Sequence, residues 1–280
     1  MTIVRIADAG DPRVAAYRHI RERDLVGRQG LFVAEGKVVL DVLLSAPGYD
    51  LQSVLVLESR YPGLEATLRK APPGLPVFVA SPDVMDAIAG FHIHRGILAI
   101  GRRRTTPSAD ELLARLPDRA LVLVLVGISN HDNVGSIFRN AAAFGTAAVF
   151  ADPTCCDPLY RKAIRVSVGG VFRVPFARID DTAAFAGTLL DHGFQPIALS
   201  PRGETDIRHL KPADRTALFL GAEGAGLPAP LLSAMRTVRI AIADDFDSLN
   251  VAATSAIALH RLSDLEWLSS TAAARSSSAP

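Results

Sequence analysis

The chain is poor in cysteine, carries no excess charge of either sign, and has no apolar run long enough to cross a bilayer. Its two cysteines, Cys155 and Cys156, are adjacent. They are not a disulfide framework, and no second pair exists to complete a zinc site, so the sequence predicts ordinary thiols and no metal. The formal net charge of +1 over 280 residues excludes a uniformly basic, histone-like protein. Local basic patches stay open, and those are what bind phosphate backbones. The opening MTIVRIADAGDPR lacks the apolar core of a signal peptide. The apolar run Ala120 to Val126 is far shorter than the roughly 18 residues of a membrane span. A soluble, cytoplasmic chain without membrane association is expected.

Enough apolar material is present for buried cores: 49% of residues are hydrophobic and 21% charged, the balance of a globular protein. The length exceeds one average domain, which predicts a modest domain and a larger one. Residues 1–103 alternate helix and strand signals. Lys37 to Leu44 reads as a helix, and Ser53 to Leu57 and Pro76 to Val79 as short buried strands. The run Gly101-Arg-Arg-Arg-Thr-Thr-Pro107 marks a linker, and residues 104–118 are read as linker plus a short helix capped by Ser108 and running through Leu116. Over 119–268 the pattern becomes βα repeated, with strands expected at Leu121–Val126, Ala147–Ala151, Phe194–Leu199, Ala217–Leu220 and Val238–Ile242. Most are continuous apolar runs, the mark of a parallel sheet covered on both faces. Residues 269–280, small and polar, are expected to be disordered.

Three loops hold the polar residues of interest. In the first, Ser129 to Gly145, Val134, Ile137, Phe138, Ala141 and Ala142 form an apolar helical stripe. Asp132 or Asn133 is the expected N-cap and Gly145 the stop. Asn133, Ser136, Arg139 and Asn140 fall opposite that stripe, beside a strand's carboxyl end, where open α/β sheets bind ligands; a solvated face is the plain alternative. In the second, Leu218 to Pro228, a buried strand runs into three glycines and Glu223. The glycines permit positive φ and close backbone approach, and a tight turn with a solvated glutamate is the alternative. In the third, a strand ends at Ile242, and Ser248 and Asn250 stand at the mouth of a helix with Ala252, Ala256, Leu259 and Leu262 on its buried stripe. Ser248 is a good N-cap and as such needs no further role.

In this order, Asn-x-Gly-x-x-x-Arg-x-Ala from Asn133, Leu-x-x-Gly-x-Glu-x-x-Gly-Leu from Leu218, and Ile-x-Ile from Ile240 followed by Ser248-Leu-Asn-Val251 resemble the three motifs of the SpoU (TrmH) RNA methyltransferases. The resemblance covers about residues 120–268. Phe32-Val-Ala-Glu-Gly36 and Arg95-Gly-Ile-Leu-Ala99 also resemble the small substrate-binding domain that many members carry. The resemblance implies an α/β sheet with a deep C-terminal trefoil knot, an exception to the rule that chains avoid knots. It implies a homodimer whose two subunits build the site, and methyl transfer from S-adenosyl-L-methionine to a ribose 2′-hydroxyl of rRNA or, second, tRNA. By the same resemblance Asn133, Arg139, Glu223, Ser248 and Asn250 are the catalytic set. Leu199, Gly221, Ile240 and Leu249 line the cofactor pocket. Arginine as general base is chemically awkward, since its neutral form is scarce at pH 7; as a fixed cation it can hold a phosphate and stabilise a forming alkoxide.

RNA contacts are expected from local cations: Arg18, Arg21, Arg23 and Arg28, the linker Arg102 to Arg104, Arg95 after His92 and His94, and Arg161, Lys162 and Arg165. For each, a solubilising face is the alternative. Three rivals stand beside this reading: a catalytically silent RNA-binding paralogue, a base-directed methyltransferase, and a dinucleotide-dependent oxidoreductase. The last lacks the Gly-x-Gly-x-x-Gly fingerprint.

Overall fold

The computed structural model describes residues 2–18 and 25–263. Arg21, Arg23 and the tail expected at 269–280 lie outside them, as does the side chain of Arg28. The chain divides into two compact units. One comprises the residues up to Thr106 together with Asp157–Arg173; the other comprises Pro107–Cys156 and everything from Val174 onward.

The first unit is built on a mixed sheet. Its strands are β1 (Thr2–Ile6), β2 (Leu31–Glu35), β3 (Tyr49–Leu57), β4 (Pro76–Ala80) and β5 (Ile97–Arg103), in the order β1-β4-β3-β5-β2. β1, β4 and β3 run parallel, whereas β5 is antiparallel to both β3 and β2. A helix forms at Lys37–Leu44, where one was expected. A second spans Pro82–Ala89, started by the Ser81 side chain and a proline in its first turn and stopped by Gly90 in the left-handed region. The Phe32-Val-Ala-Glu strand and the segment after Arg95 are neighbours, with Ala34 opposite Ala99.

Asp157–Arg173 belongs to this unit, although its sequence position lies inside the stretch read as one larger domain. The reason is aromatic packing: Phe172 sits 5.2 Å from the Phe32 ring and 4.9 Å from that of Tyr49. Gly169, at φ 78°, brings the backbone against Val42, whose Cβ would stand 3.0 Å from any added side-chain carbon.

The second unit carries a seven-stranded, wholly parallel sheet. Its strands are β6 (Ala120–Leu125), β7 (Ala148–Ala151), β8 (Phe176–Arg178), β9 (Gln195–Leu199), β10 (Thr205–Asp206), β11 (Arg215–Leu220) and β12 (Arg236–Arg239). The order is β10-β12-β9-β11-β6-β7-β8. All six residues of β6 are buried, as a strand covered on both faces requires, and each buried Leu or Val contributes about 1.5–3 kcal/mol. β12 begins and ends earlier than the expected Val238–Ile242, and β8 and β10 are edge strands too short to show as apolar runs. The short helix after the linker has the expected Ser108 cap, reinforced by Glu111, and stops at Leu113. The helices His131–Ala143 and Val251–Leu262 pack against each other. No helix among the described residues is long and apolar enough to cross a membrane.

Candidate functional site

Four adjacent central strands of the second unit end on one edge. Leu220 of β11 pairs with Leu125 of β6, Phe219 with Ala198 of β9, and Leu199 with Val238 of β12. The loops 126–130, 221–228, 200–204 and 240–250 therefore emerge side by side at the carboxyl ends, the ligand-binding edge of an open parallel sheet. All three motif loops are among them.

The first loop starts its helix earlier than expected. Asn130, and not Asp132 or Asn133, is the N-cap: its side chain accepts from the Asp132 N–H at 2.8 Å. Asn133 is thereby placed inside the first turn, where it is 8% exposed. Asn133 and Asn140 lie seven residues apart and so share a helix face. That face is turned to helix Val251–Leu262, because the Asn140 Nδ2 donates to Ala252 O and Ser255 Oγ, each at 2.9 Å. Arg139, one residue away and about 100° around the helix, is exposed and has no hydrogen-bond or ion-pair partner among the described residues. The single polar face expected for Asn133, Ser136, Arg139 and Asn140 is thus split into an asparagine seam and an outward arginine.

The second loop doubles back on itself. Gly221 leaves no room for a side chain, since an added Cβ would meet Gly226 C at 2.3 Å and Leu227 N at 2.4 Å. The Gly226 N–H donates to Ala222 O at 2.9 Å, Gly224 and Gly226 have φ of 88° and 68°, and Leu227 is buried beneath. This tight turn presents Glu223, exposed, from its tip.

In the third loop Asn250, not Ser248, caps the helix. Its Oδ1 accepts from the N–H groups of Ala252 and Ala253 at 2.9 and 3.3 Å. Ser248 stands exposed two residues earlier, without a partner among the described residues. The loop before it is irregular, and Phe246 and Leu249 are exposed within it.

Asparagine links join the three loops. Asn250 Nδ2 donates to Asn133 Oδ1 at 3.0 Å, and Asn133 Nδ2 donates to Glu223 Oε1. Each polarity follows from the last. The Asn250 oxygen is committed to the helix end, so its amide NH2 must face Asn133; Asn133 then meets it with oxygen and turns its own NH2 to a carboxylate that can only accept.

The four residues expected at the cofactor lie around the same edge. Leu199 ends β9 and is buried, Gly221 follows β11, Ile240 follows β12 and is half-buried, and Leu249 precedes Asn250. The loop after Leu199 is clamped to β12. Gly203 packs on the Val238–Arg239 backbone, and Arg239 Nη1 donates to Gly203 O and Glu204 O, both at 2.7 Å. Asn140 is expected on the polar face with Asn133, but its role as a tie to helix Val251–Leu262 and the cap at Asn130 are not visible in the sequence. Cys155 is no nucleophile. Burial, with the Asp152 carboxylate nearby, pushes its thiol up to about 12, so it stays neutral.

The expected RNA cations that the structure describes fall in the first unit. Arg161 donates to Glu35 Oε2 at 2.9 Å, and Arg165 approaches the same oxygen at 3.9 Å. Arg95 is exposed with its side chain lying over Gly36, and Lys162 is exposed. Arg104 pairs with Asp50 at 2.7 Å.

Comparison with known proteins agrees with this arrangement. The model of the SpoU rRNA Methylase family matches residues 120–260. An uncharacterized tRNA/rRNA methyltransferase of Mycobacterium bovis is 38% identical over 269 residues, covering 91% of this chain and 90% of that one. The 23S rRNA (guanosine-2'-O-)-methyltransferase RlmB of Acinetobacter baylyi is 30% identical over 203 residues, 70% of this chain and 82% of its own. A solved RNA 2'-O ribose methyltransferase superposes with a TM-score of 0.78 at 26% identity, covering 95% of this chain and 99% of its own. An AdoMet-bound rRNA methyltransferase from Sinorhizobium meliloti has the same fold, with a TM-score of 0.78 at 24% identity over 93% of this chain and 97% of its own. The chain belongs to the SpoU rRNA methylase family of RNA methyltransferases.

Proposed function

We propose that the chain transfers the methyl group of S-adenosyl-L-methionine to a ribose 2′-hydroxyl of ribosomal RNA, with transfer RNA as the second substrate class. The observation that carries this reading is the Asn250–Asn133–Glu223 chain, which draws the three motif loops together at one edge of the parallel sheet. The names of the relatives support the RNA substrate, and the 2′-O and rRNA parts rest on the Acinetobacter relative. The second unit is the catalytic domain in this reading, and the first carries the RNA contacts of Arg95, Lys162 and Arg165. The protein acts as a cytoplasmic homodimer, and the clamp between loop 200–204 and β12 belongs to a trefoil knot.

The cofactor fits the residues present. Leu199, Ile240 and Leu249 offer apolar surface beside the side-chain-free backbone of Gly221, the combination that suits adenine and a sulfonium methionine. Bound there, S-adenosyl-L-methionine supplies an electrophilic methyl group. Arg139, exposed and without a partner among the described residues, acts as a cation that holds the phosphate beside the target ribose and stabilises the oxygen as its proton passes to solvent water. Proton removal by the guanidinium itself is the weaker role. Ser248, on its exposed loop, orients the ribose, and Glu223 and Asn133 position the cationic groups.

The test is to map 2′-O-methylation across rRNA and tRNA in cells with and without the gene. One or more ribose positions should lose their methyl group when the gene is absent. An unchanged map at every position would sink the enzyme reading and leave the silent RNA-binding paralogue ahead.

A further inference from the structure

We infer that the first unit holds a stacking site for an unpaired RNA nucleobase on the exposed ring of Phe91, backed by Arg161. This rests on the RNA-directed function proposed above.

Phe91 is 43% exposed, although a buried phenyl ring would contribute about 1.5–3 kcal/mol. Its neighbours keep it there. Gly90 ends the preceding helix in the left-handed region. Two residues later Ile93 is buried in the core, and the Asp86 carboxylate takes both the Ile93 N–H at 3.1 Å and His92 Nδ1 at 2.8 Å. The His92 and His94 rings pack edge to face at 4.8 Å. A loop anchored on both sides cannot fold the ring inward.

One face of the ring is already occupied. The Arg161 guanidinium carbon lies 4.7 Å from the ring centroid, a cation–π contact. Arg161 is held there by Glu35, which is 5% exposed and 2.9 Å away. The exposed area of Phe91 therefore belongs to its other face and its edge. Two more cations lie about the carboxylate that holds Arg161: Arg165 also approaches Glu35, and Arg95, exposed, crosses Gly36 immediately after Glu35. Gly36 has φ 95°, a backbone conformation that residues with a side chain rarely adopt.

An exposed aromatic ring backed by one arginine, with two more cations about the carboxylate that holds that arginine, matches a ligand that is flat, π-faced and anionic along its backbone. An unpaired base in single-stranded RNA has that chemistry, whereas a duplex keeps its base faces hidden.

The experiment uses the full chain, a short fluorescein-labelled oligoadenylate, and an RNA duplex of equal length, with Kd read by anisotropy at fixed salt. Base–aromatic stacking contributes roughly 1–3 kcal/mol per base, so Phe91→Ala should weaken single-strand binding roughly 5- to 150-fold. Duplex binding should stay nearly unchanged. Phe91→Tyr should bind as the parent does, and Phe91→Leu, which keeps apolar bulk without a π face, should fail like Phe91→Ala. Wild-type affinity in Phe91→Ala or Phe91→Leu, or equal losses on single strand and duplex, would overturn the stacking site. Calorimetry with S-adenosyl-L-methionine on the same samples separates the two readings. Intact cofactor binding with an indifferent Phe91 removes only the stacking site, while wild-type protein that binds no cofactor removes the methyltransferase reading itself.

Discussion

Asn250 performs two tasks with two different atoms, and a pair of substitutions separates them. Its Oδ1 caps helix Val251–Leu262, and its Nδ2 holds Asn133. Asn250→Ala removes both. Loss of the cap costs about 1 kcal/mol, and loss of the amide link about another 1 kcal/mol, so a total near 2 kcal/mol is expected. Asn250→Asp keeps an acceptor for Ala252 and Ala253, and its negative charge suits a helix N-terminus. Only the link is lost, at about 1 kcal/mol, and a carboxylate now faces the Asn133 oxygen. Thermal unfolding followed by circular dichroism should therefore rank the proteins wild type, Asn250→Asp, Asn250→Ala. Each kcal/mol corresponds to roughly 2–4 °C for a unit of this size. Methyl transfer should follow a different order. Both variants free Asn133 and through it the Glu223 loop, and misplacement of about an ångström can cost on the order of 100-fold in rate. Equal melting temperatures for the two variants would refute the capping role. An Asn250→Asp enzyme turning over at the wild-type rate would refute the amide chain as the device that assembles the site.

Two other perturbations test neighbouring parts of the structure. Gly221→Ala places a carbon 2.3 Å from the Gly226 carbonyl carbon; backbone must move, at about 1–3 kcal/mol, and calorimetry should show weakened S-adenosyl-L-methionine binding, with undiminished affinity counting against the 221–227 turn as part of the pocket. Cys155 holds its proton more tightly folded than unfolded, from an ordinary 9.0 up to about 12, so its contribution is complete below pH 9 and is lost as pH rises toward 12; stability profiles of wild type and Cys155→Ala that run parallel above pH 9 would contradict this.

The sheet of the second unit was legible because it is covered on both faces. β6, β7, β9 and β11 are buried throughout or nearly so, which writes them as unbroken apolar runs. β8 and β10, with three and two residues, are too short to leave that mark. The caps are not fixed by the sequence for a related reason. Asp132, Asn133 and Ser248 are all acceptable cap types, and only the path of the backbone chooses among such candidates. Here it selected Asn130 and Asn250. That choice is chemically consequential: Asn250 caps with its oxygen and links to Asn133 with its separate amide nitrogen, whereas a serine has a single hydroxyl for both tasks.

The basic residues show where reading by charge stops. Sequence can count cations, but the role of each is set by its nearest carboxylate, and for Arg161 that partner is 126 residues away. Glu35 ends β2 in a nearly closed environment, and a buried carboxylate without a partner is costly. Arg161 meets that need first. It is thereby aimed at the Phe91 ring instead of at solvent, so removing Glu35 would release a cation and disorder a stacking platform at once. A phosphate-binding arginine should tolerate replacement by lysine better than one that must lie flat on an aromatic ring while forming a fixed pair with a carboxylate. Arg161, paired with Glu35 and lying over Phe91, should therefore lose its role on replacement by lysine, whereas the proposed RNA contacts of Arg95, Lys162 and Arg165 should survive it; equal losses of RNA binding in Arg161→Lys and Arg95→Lys would contradict this division.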